Sequence, residues 1–398
     1  MITFPFSTSA LKVSQPLGIY YVAVLPAELL LETCFSDQLR ATKSTGAGYE
    51  LQGTQRGIIL DRLRAIAEYI GRYDSAFPNS VILAANYREE DGTIEEEESL
   101  RWSIAERQGA ESYSLTIPTG RKLAAIIDGQ HRLFAFGYAA PFRLGTQLIC
   151  SVFLDLPKPF QAQLFATINS TQKPVDKSLT YELFGYNIAE ESEKYWSPDK
   201  LAVFLARKLN MESDSPLNSR IIVAPENDFS FNAIPEGMSW RVSMATVVEG
   251  ILRLISSNPK RDTNQLLTPK PNERSVLKIK VPNDRSVLRQ AYIEGNDRLI
   301  YLIVRNFLEA AERVFWATAN PDSFITKTVG IQALFDVLRK LATKALTGKD
   351  VSVNFFSGQL SPASNIDFSD ASFRIASGSG RTQIRRAIET AIGLTGPD

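Results

Sequence analysis

Short runs of β-branched and aromatic residues alternate with stretches of helical period over about the first 190 residues, and this alternation restricts the fold to a layered α/β domain. Ile19–Leu25 reads as a buried strand closed by Pro26, and Pro26–Leu31 as a short helical turn. Gly46–Gly53 reads as a loop. Leu60, Leu63, Ile66, Ala67 and Ile70 recur at helical spacing, with Arg62, Arg64 and Glu68 on the opposite face and Gly71 as the stop. Val81–Ala85, Tyr113–Ile117, Lys122–Ile127 and Gln147–Leu154 are further expected strands. Arg132–Tyr138 is an expected helix, as is the segment carrying Phe160, Leu164, Phe165 and Ile168 up to Asn169. The acidic residues Glu89–Asp91 and Glu95–Glu98 read mainly as a solvated loop, with metal binding the lesser alternative.

Beyond Glu190 the strand signal gives way to helical periods, at Met244–Ile255, Leu299–Phe315 and Ile331–Leu346. The expected organisation is therefore an α/β domain over residues 1–190 and a mostly helical region over 191–398. Thr268–Gln290 reads as irregular and basic, and Arg381, Arg385 and Arg386 fall on an expected final helix.

Composition narrows the chemistry. The chain of 398 residues balances 44 Lys and Arg against 44 Asp and Glu, so a wholly basic nucleic-acid binder is excluded while a local basic patch is not. His131 is the single histidine, and Cys34 and Cys150 are the only cysteines. This set cannot complete a zinc site of the usual His and Cys kind. A metal, if used, would be magnesium held by carboxylate and phosphate. The cysteine scarcity, the lack of a charged-then-apolar leader and the lack of a membrane-length apolar run give the expectation of a cytoplasmic protein. Both cysteines read as small buried hydrophobes.

The segment richest in chemistry is Ala124-Ala125-Ile126-Ile127-Asp128-Gly129-Gln130-His131-Arg132-Leu133-Phe134-Ala135. It reads as a buried strand, a tight turn and a helix. Gly129 admits a close backbone approach, and a helix start favours an anion. Arg132 offers a charged fork for phosphate oxygens, and His131 a second donor. The same residues admit a purely structural reading, with Asp128 as helix N-cap, Arg132 in an internal salt bridge and His131 a packed ring.

The string Asp128-Gly129-Gln130-His131-Arg132 is similar to the name-giving motif of the DGQHR family. Gly53-Thr54-Gln55-Arg56, Phe77-Pro78-Asn79-Ser80-Val81-Ile82-Leu83, Ile168-Asn169-Ser170-Thr171-Gln172-Lys173-Pro174-Val175 and Thr328-Val329-Gly330-Ile331-Gln332-Ala333-Leu334 resemble it as well. DGQHR proteins in turn resemble the ParB/sulfiredoxin superfamily, whose Gly-x-x-Arg turn matches Gly129–Arg132. The resemblance implies a ParB/sulfiredoxin-like core and nucleotide contact through Gly129, Gln130, His131 and Arg132. Arg56, Asn169, Thr171, Gln172 and Lys173 could line the same pocket, or could be a helix cap and solvated loop.

Two departures limit that resemblance. Gln130 stands where sulfiredoxin has its catalytic Cys, which argues against sulfinic-acid reduction. Ile168 replaces the Glu of the ParB segment, which argues against CTP-clamp chemistry.

Two functions follow as expectations. In the first, the chain resembles the DpdB component of 7-deazaguanine insertion and hydrolyses ATP with Mg²⁺. Asp128, His131 and Arg132 would then be catalytic, with Asp128 the metal ligand. In the second, the chain resembles DndB, a DNA-binding regulator tied to DNA phosphorothioation. There Lys278, Lys280, Arg285 and Arg289, with Arg381–Arg386, would meet DNA phosphates, unless these stretches are merely solvated surface. Expected partners are DNA, a modification enzyme of the same system and a second copy of the chain, with no membrane.

Overall fold

A computed structural model describes residues 2–37, 58–107, 112–171, 176–184, 191–222, 238–268, 270–370, 373 and 379–394, and the backbone of 40–43 and 49–52. The chain divides into two compact units, Met1–Lys173 and Pro174–Asp398. The first is built on a sheet and the second mostly on helices, the α/β class with a helical C-terminal region that the patterning implies.

The strands are β1 (Phe6–Gln15), β2 (Gly18–Pro26), β3 (Cys34–Phe35), β4 (Arg40–Lys43), β5 (Tyr49–Gln52), β6 (Val81–Ala85), β7 (Ser103–Glu106), β8 (Tyr113–Ile117), β9 (Ala124–Asp128) and β10 (Gln147–Leu154). Eight of them form one sheet in the order β3-β9-β6-β10-β2-β1-β8-β7, while β4 and β5 pair apart from it. β9 runs parallel to β3 and β6 parallel to β10; the other neighbours are antiparallel.

One face of the sheet meets α1 (Ala27–Thr33) and α2 (Leu60–Gly71). There Leu25, Leu83, Ile126 and Val152 pack with Leu29, Leu63 and Ile70. On the opposite face a smaller cluster of Phe35, Ala84, Ala125, Ile127 and Phe153 packs beneath Leu164 and Phe165 of α4 (Lys158–Thr171). Because both faces of β9 are covered, its sequence is an unbroken apolar run and not an alternating one.

β1 is absent from the sequence reading. In Phe6–Gln15 only Ala10 is fully buried, and Ser7, Thr8, Ser9 and Ser14 interrupt the apolar positions, so the hydrophobic alternation is faint. Its register with β2, from Ala10 opposite Ala23 to Gln15 opposite Gly18, comes from the hairpin itself. The segment read as a Gly46–Gly53 loop holds β5. Glu95 departs from the solvated-loop reading: it is buried, accepts from the Glu97 amide and lies 3.5 Å from Arg121.

The second unit contains α5 (Lys177–Phe184), α6 (Pro198–Met211), α7 (Met244–Ile255), α8 (Pro259–Leu266), α9 (Leu277–Lys280), α10 (Arg289–Ile293), α11 (Asp297–Ala311), α12 (Thr328–Gly348), α13 (Val353–Leu360) and α14 (Ser379–Ala391). Val247, Ile251, Ile303, Phe307, Leu334, Leu338 and Phe356 lie in its core. Gly250 lets α7 approach α12 closely, since a Cβ there would stand 2.3 Å from Phe335.

The basic stretch 268–290 is better ordered than its composition implies, because two of its arginines turn inward. Arg274 is 1% exposed and donates to the Trp196 carbonyl and to Asp297 Oδ1 at 2.5 Å. Arg289 grips Asp262 with both Nη atoms, one at 2.9 Å. A buried carboxylate needs such a partner.

Burial pushes the Cys34 thiol up to about 12 and raises Cys150 as well, consistent with both being packing residues. Cys34 therefore holds about a thousandfold less thiolate than an ordinary cysteine at neutral pH. We expect neither thiol to react with iodoacetamide in the native protein and both to react after denaturation, as read by mass spectrometry.

Candidate functional site

β9 ends at Asp128, and the chain turns at Gly129 with φ +99° and ψ 8° into α3 (Gln130–Phe134), extended by a 3-10 turn over Ala135–Tyr138. The helix starts two residues before the expected Arg132. Gly129, and not Asp128, is its N-cap, and no side chain caps it. With only five α-helical residues, α3 contributes little aligned dipole, so charge at this turn resides chiefly in Arg132.

Arg132 is held by three acceptors. Nη1 donates to the Asn79 carbonyl at 2.7 Å, and Nη2 donates to the Ser80 carbonyl at 3.1 Å and to Asp128 Oδ2 at 2.8 Å. The internal salt bridge is thus real, yet it leaves the Arg132 side chain 24% exposed. Gly129 is required by this arrangement as much as by any ligand, because a Cβ would lie 3.2 Å from Arg132 Nη2 at a backbone angle L-residues rarely adopt.

The neighbouring positions also have structural duties. Gln130 is buried, and its Oε1 accepts from Ser36 Oγ at 2.6 Å. His131 Nε2 accepts from the Ile59 amide at 3.2 Å, which places no proton on that nitrogen. Asn169 donates to the Phe165 carbonyl at 2.8 Å within α4, so it is an interior residue of that helix and not its cap.

The turn Asp128–Arg132 forms one wall of a cleft of about 740 Å³. Asn79, Ser80 and Ser151 add polar groups, and Asn169 comes from α4. Val22, Ile82, Ile149, Phe165 and Ile168 supply apolar surface from β2, β6, β10 and α4. Arg62 reaches the cleft from the first turn of α2 and, among the described residues, makes no hydrogen bond or ion pair. The structure thus brings Asp128, Gly129, Gln130, His131, Arg132 and Asn169 together. Thr171 ends α4 with its side chain outside the described atoms, and Arg56, Gln172 and Lys173 lie outside the described residues.

Arg62, Ser80 and Ser151 were not foreseen as site residues. Arg62 looked like solvated helix surface, whereas Ser151 was legible as a polar break between Cys150 and Val152 in a buried strand.

Asp128 is the one carboxylate among the residues lining the cleft. No cluster of three or more His, Cys, Asp or Glu suited to a metal occurs among the described residues. Asp128 Oδ2 is taken by Arg132, which leaves Oδ1 as the carboxylate oxygen open to the cleft.

The expected DNA contacts separate. Lys278 and Lys280 are exposed on α9, and Arg285 is exposed in the loop before α10. Arg289 is a correction: its side chain is 7% exposed and committed to Asp262, so it offers no surface to a phosphate.

The family model of DndB, DNA-sulfur modification-associated, matches residues 8–215, more than half of the chain and the whole of the first cleft. The chain belongs to the DndB family. No curated protein and no solved structure matches it. Of the two DNA-modification systems weighed from sequence, the DndB match supports the DNA-sulfur one. Among the described residues no helix is long and apolar enough to cross a membrane.

Two substitutions probe these geometries. Gly129→Ala should destabilise the protein by roughly 1–3 kcal/mol in denaturant unfolding, through backbone strain and displacement of Arg132. Arg289→Ala should cost roughly 3–5 kcal/mol by stranding Asp262. An Arg289→Ala protein of unchanged stability would contradict the buried pair.

Proposed function

We propose that the protein is a nucleotide-binding accessory of a DNA-sulfur modification system, with the nucleotide seated in the cleft beside the Asp128–Arg132 turn. The observation that carries this reading is the fixed Arg132 guanidinium facing a cleft that also holds an apolar lining and Arg62, which has no partner among the described residues. A guanidinium anchored by backbone carbonyls loses little freedom when it meets a phosphate. The apolar side chains of β2, β10 and α4 suit a base, and the polar turn suits the phosphates. The Gly-x-x-Arg pattern shared with ParB/sulfiredoxin-like proteins favours the same assignment, with ATP as the expected nucleotide.

Hydrolysis is the further step of this proposal. Bound Mg²⁺ would neutralise phosphate charge and polarise the transferring group. Asp128 would take part through Oδ1, since Oδ2 is engaged by Arg132. With Oδ2 held by Arg132, one carboxylate oxygen remains for the cation or water, and turnover should be slow. His131 can orient phosphate or water from the same wall.

The regulator reading is favoured by a different observation, the exposed Lys278 and Lys280 on α9. It predicts duplex affinity that falls steeply with salt and drops when both lysines are neutralised.

The deciding measurement is titration of the full chain with ATP and Mg²⁺. Arg132→Ala should weaken binding by about tenfold or more, consistent with loss of a charge-assisted contact. Asp128→Asn should lessen the Mg²⁺ dependence. A folded wild-type protein that binds no ATP would overturn the assignment.

A further inference from the structure

The second unit has a cleft of its own, of about 940 Å³, with no role in the function proposed above. Four separate stretches bring arginines to it. Arg253 comes from α7, Arg285 from the loop before α10, Arg339 from α12, and Arg381 and Arg385 from successive turns of α14. Asp336 is the one carboxylate among its lining residues. Arg381 takes Asp336 in a fork, Nε at 2.6 Å and Nη2 at 2.5 Å, and Arg253 stands 3.7 Å from it. Among the described residues, Arg285 and Arg339 make no hydrogen bond or ion pair.

This pattern differs from the arginines that the same unit uses for folding. Arg274, Arg289 and Arg305 each have a carboxylate partner, Asp297, Asp262 and Asp214 respectively. Exposed Arg285 and Arg339 contribute no core packing, yet they join Arg253 and Arg381, which share the carboxylate of Asp336. Such convergence is repulsive unless an anion enters, and a concave wall concentrates the resulting field. Guanidinium forks match phosphate oxygens, and the volume lies within the range of about 300–1,000 Å³ usual for small-ligand sites. Val287 is the single apolar residue in the lining, and no aromatic ring is among its residues.

We propose that this cleft binds a small polyphosphate anion. Arg285 and Arg339 contact the phosphates directly, and Asp336 positions Arg381 to close the ring of donors. The ligand class follows from concavity and charge together: a wall of converging guanidinium groups selects charge density, which a linear polyphosphate supplies.

The test is isothermal titration of the full chain with inorganic tripolyphosphate at low salt. Saturable binding is expected. The double variant Arg285→Gln, Arg339→Gln should lose about tenfold or more in affinity. If the double variant folds poorly, hydrogen exchange on wild type provides the second readout, with tripolyphosphate expected to protect α12 and α14. Absence of binding by folded wild type overturns the proposal. Loss in Arg132→Ala with retention in the double variant does so too, since it moves the anion to the first cleft. A short DNA duplex that displaces the probe and binds more tightly through the same two arginines also overturns it, by assigning the cleft to a nucleic-acid backbone. Failure of ATP binding at the first cleft leaves this test unaffected.

Discussion

The first unit turns on one guanidinium. Arg132 joins the end of β9 to the residues that lead into β6, through the carbonyls of Asn79 and Ser80 and the carboxylate of Asp128. Those strands are antiparallel neighbours next to the β3 edge of the sheet, with a register irregularity between Ile82 and Leu83. The Asn79 and Ser80 carbonyls lie just before β6, and a planar cation with several N–H groups satisfies them together. The left-handed turn at Gly129 is what brings Arg132 back over the strand end. Structural satisfaction and ligand readiness are therefore one arrangement: the contacts that fix Arg132 also aim it into the cleft.

Much of this was legible in the sequence where hydrophobic pattern is strong. β2, β6, β8 and β10 follow their apolar runs, and α2 follows its helical stripe. β1 was not legible because its partners, and not its own side chains, specify it. The motif 128–132 announced a polar turn at a strand end, but it could not say whether Arg132 faced inward or outward, and the fold makes it do both. Arg62 was hidden for the opposite reason. A helix wheel reports only one helix, and the cleft wall that gives Arg62 meaning comes from strands distant in sequence.

Composition misled most in 268–290. Six cations there resembled a surface for nucleic acid, yet Arg274 and Arg289 lie inside the helical unit and hold Asp297 and Asp262. Sequence counts charges without knowing which have been neutralised by burial. Sorting arginines by partner separates those that build the fold from those left for another molecule, and Arg285 with Arg339 falls in the second group.

That sorting also bears on what family membership can explain. The matched residues 8–215 contain every residue lining the first cleft and none lining the second. Membership in a DNA-sulfur modification-associated family thus supplies context for the Arg132 cleft and says nothing directly about the arginines of α7, α12 and α14. The two clefts are also chemically unlike. One pairs a fixed guanidinium with aliphatic and aromatic side chains, and the other gathers several guanidinium groups with Val287 as its one apolar side chain. A ligand that carries a base and phosphates suits the first, and a ligand that is nearly all charge suits the second. The two proposed phosphate sites share no lining residue, so each can be removed by substitution without touching the other.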